Sequence, residues 1–136
     1  IDYVENWDNG FKEVRRVIKK DGYFIFSVGN PVFEITVKTD KKKKFVRKFE
    51  DYFKENKNYG NWKNILYKKE VIDVKMPSYH KTYETIINII LKNGFEIVDY
   101  KDCRPTPRDK AKKLFPKEYD YLSKVPYFCV WKVRKK

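Results

Sequence analysis

The first regular pattern of apolar and polar positions in the chain predicts a helix followed directly by a strand. Apolar residues recur at helical spacing, with charged residues between them. This stripe consists of Trp7, Phe11, Val14, Val17 and Ile18. Asp21-Gly22 should end the helix, because both residues tolerate turn conformations with positive φ. Tyr23–Val28 is then an almost unbroken apolar run, which is typical of a strand covered on both faces of a sheet.

The middle of the chain, residues 32–80, has an irregular and highly charged pattern. We expect a helix over Lys41–Lys54, a polar and aromatic loop over Asn56–Asn64, and an exposed strand over Lys68–Met76. Because this part interrupts the alternation of helix and strand, we interpret residues 32–80 as an insertion or lid. The chain has the length of one domain, which would extend over residues 1–136.

The last third of the chain returns to a regular order of elements. Thr82 is predicted to cap a helix that ends at Asn93-Gly94, a common C-terminal stop. The buried face of this helix should consist of Tyr83, Ile86, Ile87, Ile90 and Leu91. Strands are predicted over Phe95–Tyr100 and Tyr127–Val133, with a short charged helix near Pro116 between them. This order predicts an α/β fold, and the lack of a long crossover helix allows the last strand to run antiparallel.

The composition indicates a globular protein. Hydrophobic residues make up 41% of the chain and aromatic residues 18%, which excludes an intrinsically disordered chain. No apolar run approaches the roughly 18 residues that a membrane-spanning helix needs, and no signal-peptide pattern is visible. Cys103 and Cys129 lie far apart and, with one histidine, match no zinc-site spacing. We therefore expect a cytoplasmic protein with reduced thiols and no metal.

The formal net charge of +13 has two interpretations. A strongly basic surface is typical of proteins that bind nucleic acid, and the best candidate for such a surface is a helix over Lys41–Lys48. Its lysines would neutralise phosphates, and aromatic residues nearby could stack on bases. However, lysines far outnumber arginines, and arginine is the residue that suits bidentate phosphate recognition. A solvated helix face in a lysine-rich chain is the other interpretation.

Five short segments resemble, in the same order, the C-terminal half of class I S-adenosylmethionine-dependent methyltransferases, in particular the ubiquinone/menaquinone-biosynthesis-like (type 11) group. Trp7–Lys19 resembles the helix before the fifth strand of that family, and Gly22–Ser27 resembles the glycine turn and the strand itself. Tyr79–Thr82 looks like the segment that opens the next helix. Asn93–Ile97 and Pro126–Phe128 resemble the entries to the sixth and seventh strands. The resemblance implies the fifth to seventh strands of a Rossmann-like sheet, the last strand antiparallel, with a lid insertion.

The same resemblance implies S-adenosylmethionine as the cofactor of an intact parent enzyme. In this family a glycine-rich turn after the first strand and an acidic residue after the second hold the cofactor. The five glycines of the chain are too far apart to form a G-x-G motif. We therefore expect a truncated fragment without the cofactor-binding half, which binds no S-adenosylmethionine and is inactive by itself.

The resemblance also suggests which residues would face a small-molecule methyl acceptor. The neutral imidazole of His80 could orient or deprotonate an acceptor oxygen or nitrogen, and a capping or surface histidine is the alternative. Tyr79 beside it could close the pocket. Asn30 follows a strand at the end where open α/β sheets bind ligands, although a turn residue beside proline is the simpler interpretation. Tyr3 lies near the expected end of the family's fourth strand.

One further expectation concerns self-association. The resemblance leaves one edge of the Tyr23–Val28 strand without the fourth strand that covers it in the family. An open apolar strand edge pairs readily with other polypeptides. We therefore expect this chain to self-associate through the Tyr23–Val28 edge.

Overall fold

The structure of the protein is a computed structural model. It describes residues 1–39, 45–47, 51–55, 57–67, 70–105, 113, 119 and 122–136. The helices and strands in these ranges are, in chain order, α1 Trp7–Val17, β1 Tyr23–Gly29, α2 Pro31–Thr36, β2 Val37–Thr39, β3 Phe45–Arg47, β4 Lys57–Tyr67, β5 Glu70–Tyr79, α3 Tyr83–Lys92, β6 Phe95–Asp102 and β7 Phe128–Lys135.

A three-stranded antiparallel sheet with the order β1-β7-β6 forms the centre of the fold. Because β7 lies between the other two strands and runs antiparallel to both, β1 and β6 run in the same direction. The register pairs Gly29 with Phe128 and Asp102 with Cys129, so β1 and β6 end side by side across the start of β7. The prediction that the last strand runs antiparallel is therefore confirmed.

The hydrophobic core lies between this sheet and the helices α1 and α3. Phe11 of α1 is fully buried, and it meets the rings of Phe24, Phe26 and Phe95 edge-on at centroid distances of 5.8, 5.4 and 5.9 Å. Edge-to-face contacts of this kind add to the stabilisation that burial alone gives. The remaining buried residues of this core are Trp7, Val28, Ile86, Ile90, Cys129, Trp131 and Val133.

Two positions of the predicted apolar stripes are exposed. Val17 at the end of α1 is 66% exposed, and Leu91 near the end of α3 is 51% exposed. An α-helix turns by about 100° per residue, which places each of these residues roughly 80–90° from the centre of its buried face. Both lie at the margin of the stripe, where the sheet does not reach.

β1 is buried on one face only within the described part of the chain. Phe26 and Val28 face the core, whereas Tyr23 and Ile25 on the opposite face are 52% and 62% exposed. The expectation of a strand covered on both faces is therefore wrong for the described residues. The reason is that α1 and α3 both pack on the same face of the sheet.

The middle of the chain is richer in strands than its sequence pattern predicts. β3 lies inside the predicted Lys41–Lys54 helix, and β4 occupies most of the predicted Asn56–Asn64 loop, so both predictions are wrong there. β2 pairs with β3, and β4 pairs with β5, which confirms the exposed strand predicted over Lys68–Met76. Strand pairing across the chain outweighs the local helical pattern here.

Two predicted segments fall largely outside the described residues. Of the Lys41–Lys48 segment only residues 45–47 are described. Of the predicted helical stretch that is kinked near Pro116 and runs to Val125, residues 113, 119 and 122 are described as helical, and residues 123–125 form a turn. None of the helices in the described ranges is long and apolar enough to cross a membrane.

The connection from α1 to β1 depends on two residues for different reasons. Asp21 has a φ of 60°, as its place in the turn predicts. Gly22 does not have a positive φ, but a Cβ at this position would lie 2.6 Å from Ile18 Cγ2 and 2.8 Å from the Lys19 carbonyl oxygen. The turn therefore needs glycine because the chain passes close to the end of α1.

Both ends of α1 are tied to the end of α3. At the start of α1, Asp8 Oδ1 accepts a hydrogen bond from Asn93 Nδ2 at 2.9 Å. At its other end, Arg15 Nη1 donates to the carbonyl oxygen of Gly94 at 2.6 Å. Gly94 has a φ of +71°, and a Cβ built there would lie 2.5 Å from the Arg15 guanidinium.

We predict that Gly94→Ala lowers the free energy of unfolding by about 1–2 kcal/mol, because alanine is strained at positive φ and displaces Arg15. Gly10→Ala is the matched control. Gly10 lies inside α1, where an added Cβ meets only Val4 at 3.7 Å, so alanine should raise stability by about 0.5–1 kcal/mol. Urea unfolding measures both values, and equal effects of the two substitutions would contradict this assignment.

Candidate functional site

The N-terminal segment brings the predicted site residues to one end of the sheet. Asp2 Oδ2 accepts a hydrogen bond from the backbone N–H of Gly29 at 2.9 Å. The carbonyl oxygen of Asp2 accepts a second hydrogen bond, from the N–H of Tyr79 at 3.1 Å. These bonds join the end of β1 to the end of β5. The residues predicted to contact an acceptor take part in these bonds or adjoin them in the chain: Tyr3, Asn30, Tyr79 and His80.

Asn30 is fully buried and connects three parts of the fold. Its Nδ2 donates to Asp102 Oδ1 at 2.9 Å, and its backbone N–H donates to the carbonyl oxygen of Tyr127 at 2.9 Å. Its Oδ1 accepts from the N–H of Val32 at 3.0 Å and so caps α2, in which Pro31 takes the first position. Asn30 thus orders the end of the sheet with an amide that is closed to solvent.

A chain of hydrogen bonds continues from Asp102 to the start of α3. The hydroxyl of Tyr100 donates to Asp102 Oδ1 at 2.6 Å, a length typical of a bond to a carboxylate. The hydroxyls of Tyr100 and Tyr83 are 2.9 Å apart. Burial, and then the bond to Asp102, raises the pKa of Tyr100, and burial also raises the pKa of Tyr83. Both phenols therefore stay protonated, and the Asp102 carboxylate is the acceptor at the end of the chain.

The rings of this cluster pack on Trp131 of the central strand. The Tyr100 and Trp131 centroids are 4.6 Å apart, and those of Tyr83 and Trp131 are 6.4 Å apart. The Trp131 indole N–H is buried and has no hydrogen-bond acceptor among the described residues. The polar cluster thus rests directly on the hydrophobic core.

A cleft of about 290 Å³ opens at Asp102, between the end of β6 and the segment that leads into β7. Its lining residues are Asp102, Arg104, Ser123, Lys124, Val125 and Pro126. The cleft combines a carboxylate with two cationic side chains, and it lies at the strand end where open α/β sheets bind ligands.

His80 is buried, with 4% of its surface exposed. Its Nε2 lies 2.9 Å from the carbonyl oxygen of Tyr52. A carbonyl oxygen only accepts hydrogen bonds, so this contact requires a hydrogen on Nε2. The ring of Tyr52 meets the His80 ring at 5.9 Å. The histidine is therefore an internal residue with a main-chain contact, and not a surface residue.

Residues 51–55 bind the start of α3 through several further contacts. Glu55 Oε1 accepts from the N–H of Thr82 at 3.0 Å, and Glu55 Oε2 pairs with Lys81 Nζ at 2.8 Å. The hydroxyl of Tyr52 accepts from the N–H of Tyr83 at 2.8 Å. Thr82 is the N-cap of α3, as predicted, and accepts from the N–H of Thr85. The 51–55 segment thus fixes the position of His80 beside the polar cluster.

The two remaining predicted residues lie at the margin of the site. Tyr3 is 45% exposed, and burial followed by the negative charge of Asp2 raises the pKa of its phenol. Tyr79 is half-buried, and Lys57 Nζ lies 5.4 Å from the centre of its ring. Four residues of this arrangement were not predicted as site residues from the sequence: Asp2, Tyr83, Tyr100 and Asp102. For Tyr100 and Asp102 the usable signal was their place at the end of a predicted strand, the same signal that pointed to Asn30.

Neither cysteine contributes to a metal site in the described residues. Cys103 and Cys129 are free thiols, and burial raises the pKa of the Cys129 thiol to about 11. Among the residues that the structure describes, no cluster of three or more His, Cys, Asp or Glu side chains could hold a metal ion.

We predict that Tyr100→Phe lowers the free energy of unfolding by about 1–2 kcal/mol, because it leaves Asp102 and Tyr83 without a shared partner. Tyr23→Phe is the matched control, since Tyr23 is 52% exposed; its effect should stay within about 0.5 kcal/mol. Urea unfolding of both variants measures the difference. An equal loss in both would show that the hydroxyl of Tyr100 contributes nothing specific.

Comparison with known proteins identifies similar structures. No protein-family model matches the chain, and no curated protein does. A crystal structure from Listeria monocytogenes, provisionally assigned as an S-adenosylmethionine-dependent methyltransferase, matches 99% of this chain with 26% identity and a TM-score of 0.72. Crystal structures of two S-adenosylmethionine-dependent methyltransferases match 98% of it: one from Mesorhizobium loti (20% identity, TM-score 0.66) and one from Clostridium acetobutylicum (16% identity, TM-score 0.58).

The match covers nearly all of this chain but only part of each methyltransferase structure. The chain spans 57% of the Listeria and Mesorhizobium structures and 54% of the Clostridium structure. The chain therefore has an α/β fold similar to that of S-adenosylmethionine-dependent methyltransferases and corresponds to somewhat more than half of their length.

Proposed function

We propose that the chain is the acceptor-side, C-terminal part of an S-adenosylmethionine-dependent methyltransferase of the class I, type 11 group. The observation that carries this proposal is the match to the Listeria structure over 99% of this chain and only 57% of that one. In this assignment β1, β6 and β7 are the fifth, sixth and seventh strands of the family. Residues 32–80, which contain β2 to β5, are the lid.

The cofactor would be held by polypeptide outside these 136 residues, because the residues present do not fit it. A cofactor of this class needs close backbone approach at glycine. Gly22 lies against Ile18 and Gly94 lies against Arg15, so neither leaves room for a ligand, and Gly10 lies inside α1 and not in a turn after a strand. We therefore assign no residue of this chain to S-adenosylmethionine.

The role left for this chain is to hold and orient the methyl acceptor. Alkylation of an oxygen or nitrogen requires that the acceptor lose its proton and point at the methyl donor. Asp102 can accept such a proton, because Asn30 and Tyr100 fix its carboxylate at the mouth of the cleft. Arg104 and Lys124 supply positive charge there, which suits an acceptor with an anionic group.

His80 stays a candidate for proton transfer. In the structure its Nε2 is bound to the carbonyl oxygen of Tyr52, which favours a role in holding the 51–55 segment. Tyr3 and Tyr79 would border the acceptor from the N-terminal segment and from the lid. The alternative function, a nucleic-acid-binding module on Lys41–Lys48, gains no support from the described residues of that segment, which form β3.

We predict that the 136-residue chain shows no saturable heat of binding when S-adenosylmethionine is titrated into it by calorimetry. A cooperative thermal melt of the same sample provides the control that the protein is folded. Saturable binding with a micromolar Kd would contradict the proposal that the cofactor-binding residues lie outside the chain.

A further inference from the structure

The protein uses only one of the two carboxylate oxygens of Asp102. Its Oδ1 accepts both bonds of the polar cluster, from Asn30 Nδ2 at 2.9 Å and from the Tyr100 hydroxyl at 2.6 Å. Its Oδ2 accepts no hydrogen bond from the described residues. Because Asp102 lines the cleft of about 290 Å³, this second oxygen is available to a hydrogen-bond donor on a ligand in the cleft.

Two cationic side chains line the same cleft. Arg104 follows the end of β6, and Lys124 belongs to the segment that leads into β7. Within the described ranges, no carboxylate pairs with the Arg104 guanidinium. Together with Asp102, the described lining therefore carries two positive charges and one negative charge. A complementary ligand has a hydrogen-bond donor for the carboxylate and an anionic group for the cations.

The lining and the size of the cleft exclude an acceptor with a large apolar part. Of the six described lining residues, only Val125 and Pro126 are apolar. A hydrocarbon chain laid over Asp102, Arg104 and Lys124 would take their charges out of water without offering a partner, which is costly. Since a water molecule occupies about 30 Å³ in the liquid, a cleft of about 290 Å³ holds a ligand of roughly ten non-hydrogen atoms.

The position of the cleft separates it from the polypeptide that the proposed function places outside the chain. That polypeptide would join the sheet at β1, whereas β6 is the edge strand on the other side of β7. The described lining residues come from the end of β6, from the residue at position 104 and from residues 123–126. The charges that a ligand meets in this cleft are therefore supplied by this chain.

We propose that the cleft binds a short polar acid that carries a hydroxyl or amino group beside its carboxylate. The hydroxyl or amino group donates to Asp102 Oδ2, and the anionic end pairs with Arg104 and Lys124. This inference rests on the proposed function, because it identifies the ligand with the methyl acceptor and the group at Asp102 with the methylated one. Arg104 and Lys124 then determine specificity, since a neutral acceptor offers them no partner.

Chemical-shift titration of the isotope-labelled 136-residue chain with three related probes tests the acceptor class. L-Malate has a hydroxyl group and two carboxylates, succinate lacks the hydroxyl, and butane-1,2,4-triol keeps the hydroxyl but has no carboxylate. L-Malate should give saturable shifts at the amides of Asp102, Arg104 and Lys124. Succinate should bind roughly tenfold more weakly, because it offers Asp102 no donor, and the triol should give no saturable shifts.

A pair of variants tests whether the guanidinium in the cleft selects the anion. Arg104→Met removes the positive charge but keeps an unbranched side chain, and it should weaken malate binding roughly tenfold. Lys101→Met is the matched control, because Lys101 is exposed on β6 next to Asp102 and is not among the described lining residues. It removes the same charge from the same part of the sheet and should change the Kd for malate by less than about twofold.

Three results would overturn this inference: no saturable shifts with malate, equal binding of the three probes, or an Arg104→Met variant that binds malate as wild type does. The comparison of probes uses the wild type, so it decides the question even if Arg104→Met does not fold. S-adenosylmethionine takes no part in these titrations, so a negative result leaves the proposed function untouched. That function fails in a different titration, in which the chain itself binds S-adenosylmethionine.

Discussion

The position of β7 between β1 and β6 is the constraint on which the rest of the structure depends. Because β7 runs antiparallel to both strands, β1 and β6 end at the same side of the sheet. Asn30 and Asp102, which are far apart in the chain, thereby come within hydrogen-bonding distance. The helices contribute by filling the space on one face, where Phe11 meets rings from two of the three strands. The site is thus a consequence of the strand order.

The elements with a clear period, β5 among them, could be predicted from the sequence, whereas β3 and β4 could not. β1, α3, β6 and β7 lie where periodicity and stop signals placed them, with shifts of one or two residues at their ends, whereas α1 begins as predicted but ends at Val17, before the Asp21-Gly22 stop. β3 and β4 were missed because their strand state depends on partners elsewhere in the chain. Hydrophobic spacing alone carries no information about such partners.

The roles of Tyr3, Asn30, Tyr79 and His80 in binding an acceptor stay predictions. The rule that ligands bind at strand ends pointed to Asn30, and hydrogen bonds to Asp2 bring the ends of β1 and β5 together. The residue that joins them, Asp2, could not be identified, because its role depends on two backbone N–H groups that are distant in sequence. The same limit applies to Tyr100, whose partners Tyr83 and Asp102 are known only once the register is known.

A double-mutant cycle between Asn30→Ala and Asp102→Ala tests most directly whether the ends of β1 and β6 form one site. The two side chains are 72 positions apart and connected by a single hydrogen bond of 2.9 Å. If β7 holds the strand ends together as described, the effects of the two substitutions on the free energy of unfolding should be non-additive by about 1–2 kcal/mol. Additive effects would contradict the convergence of the two strand ends.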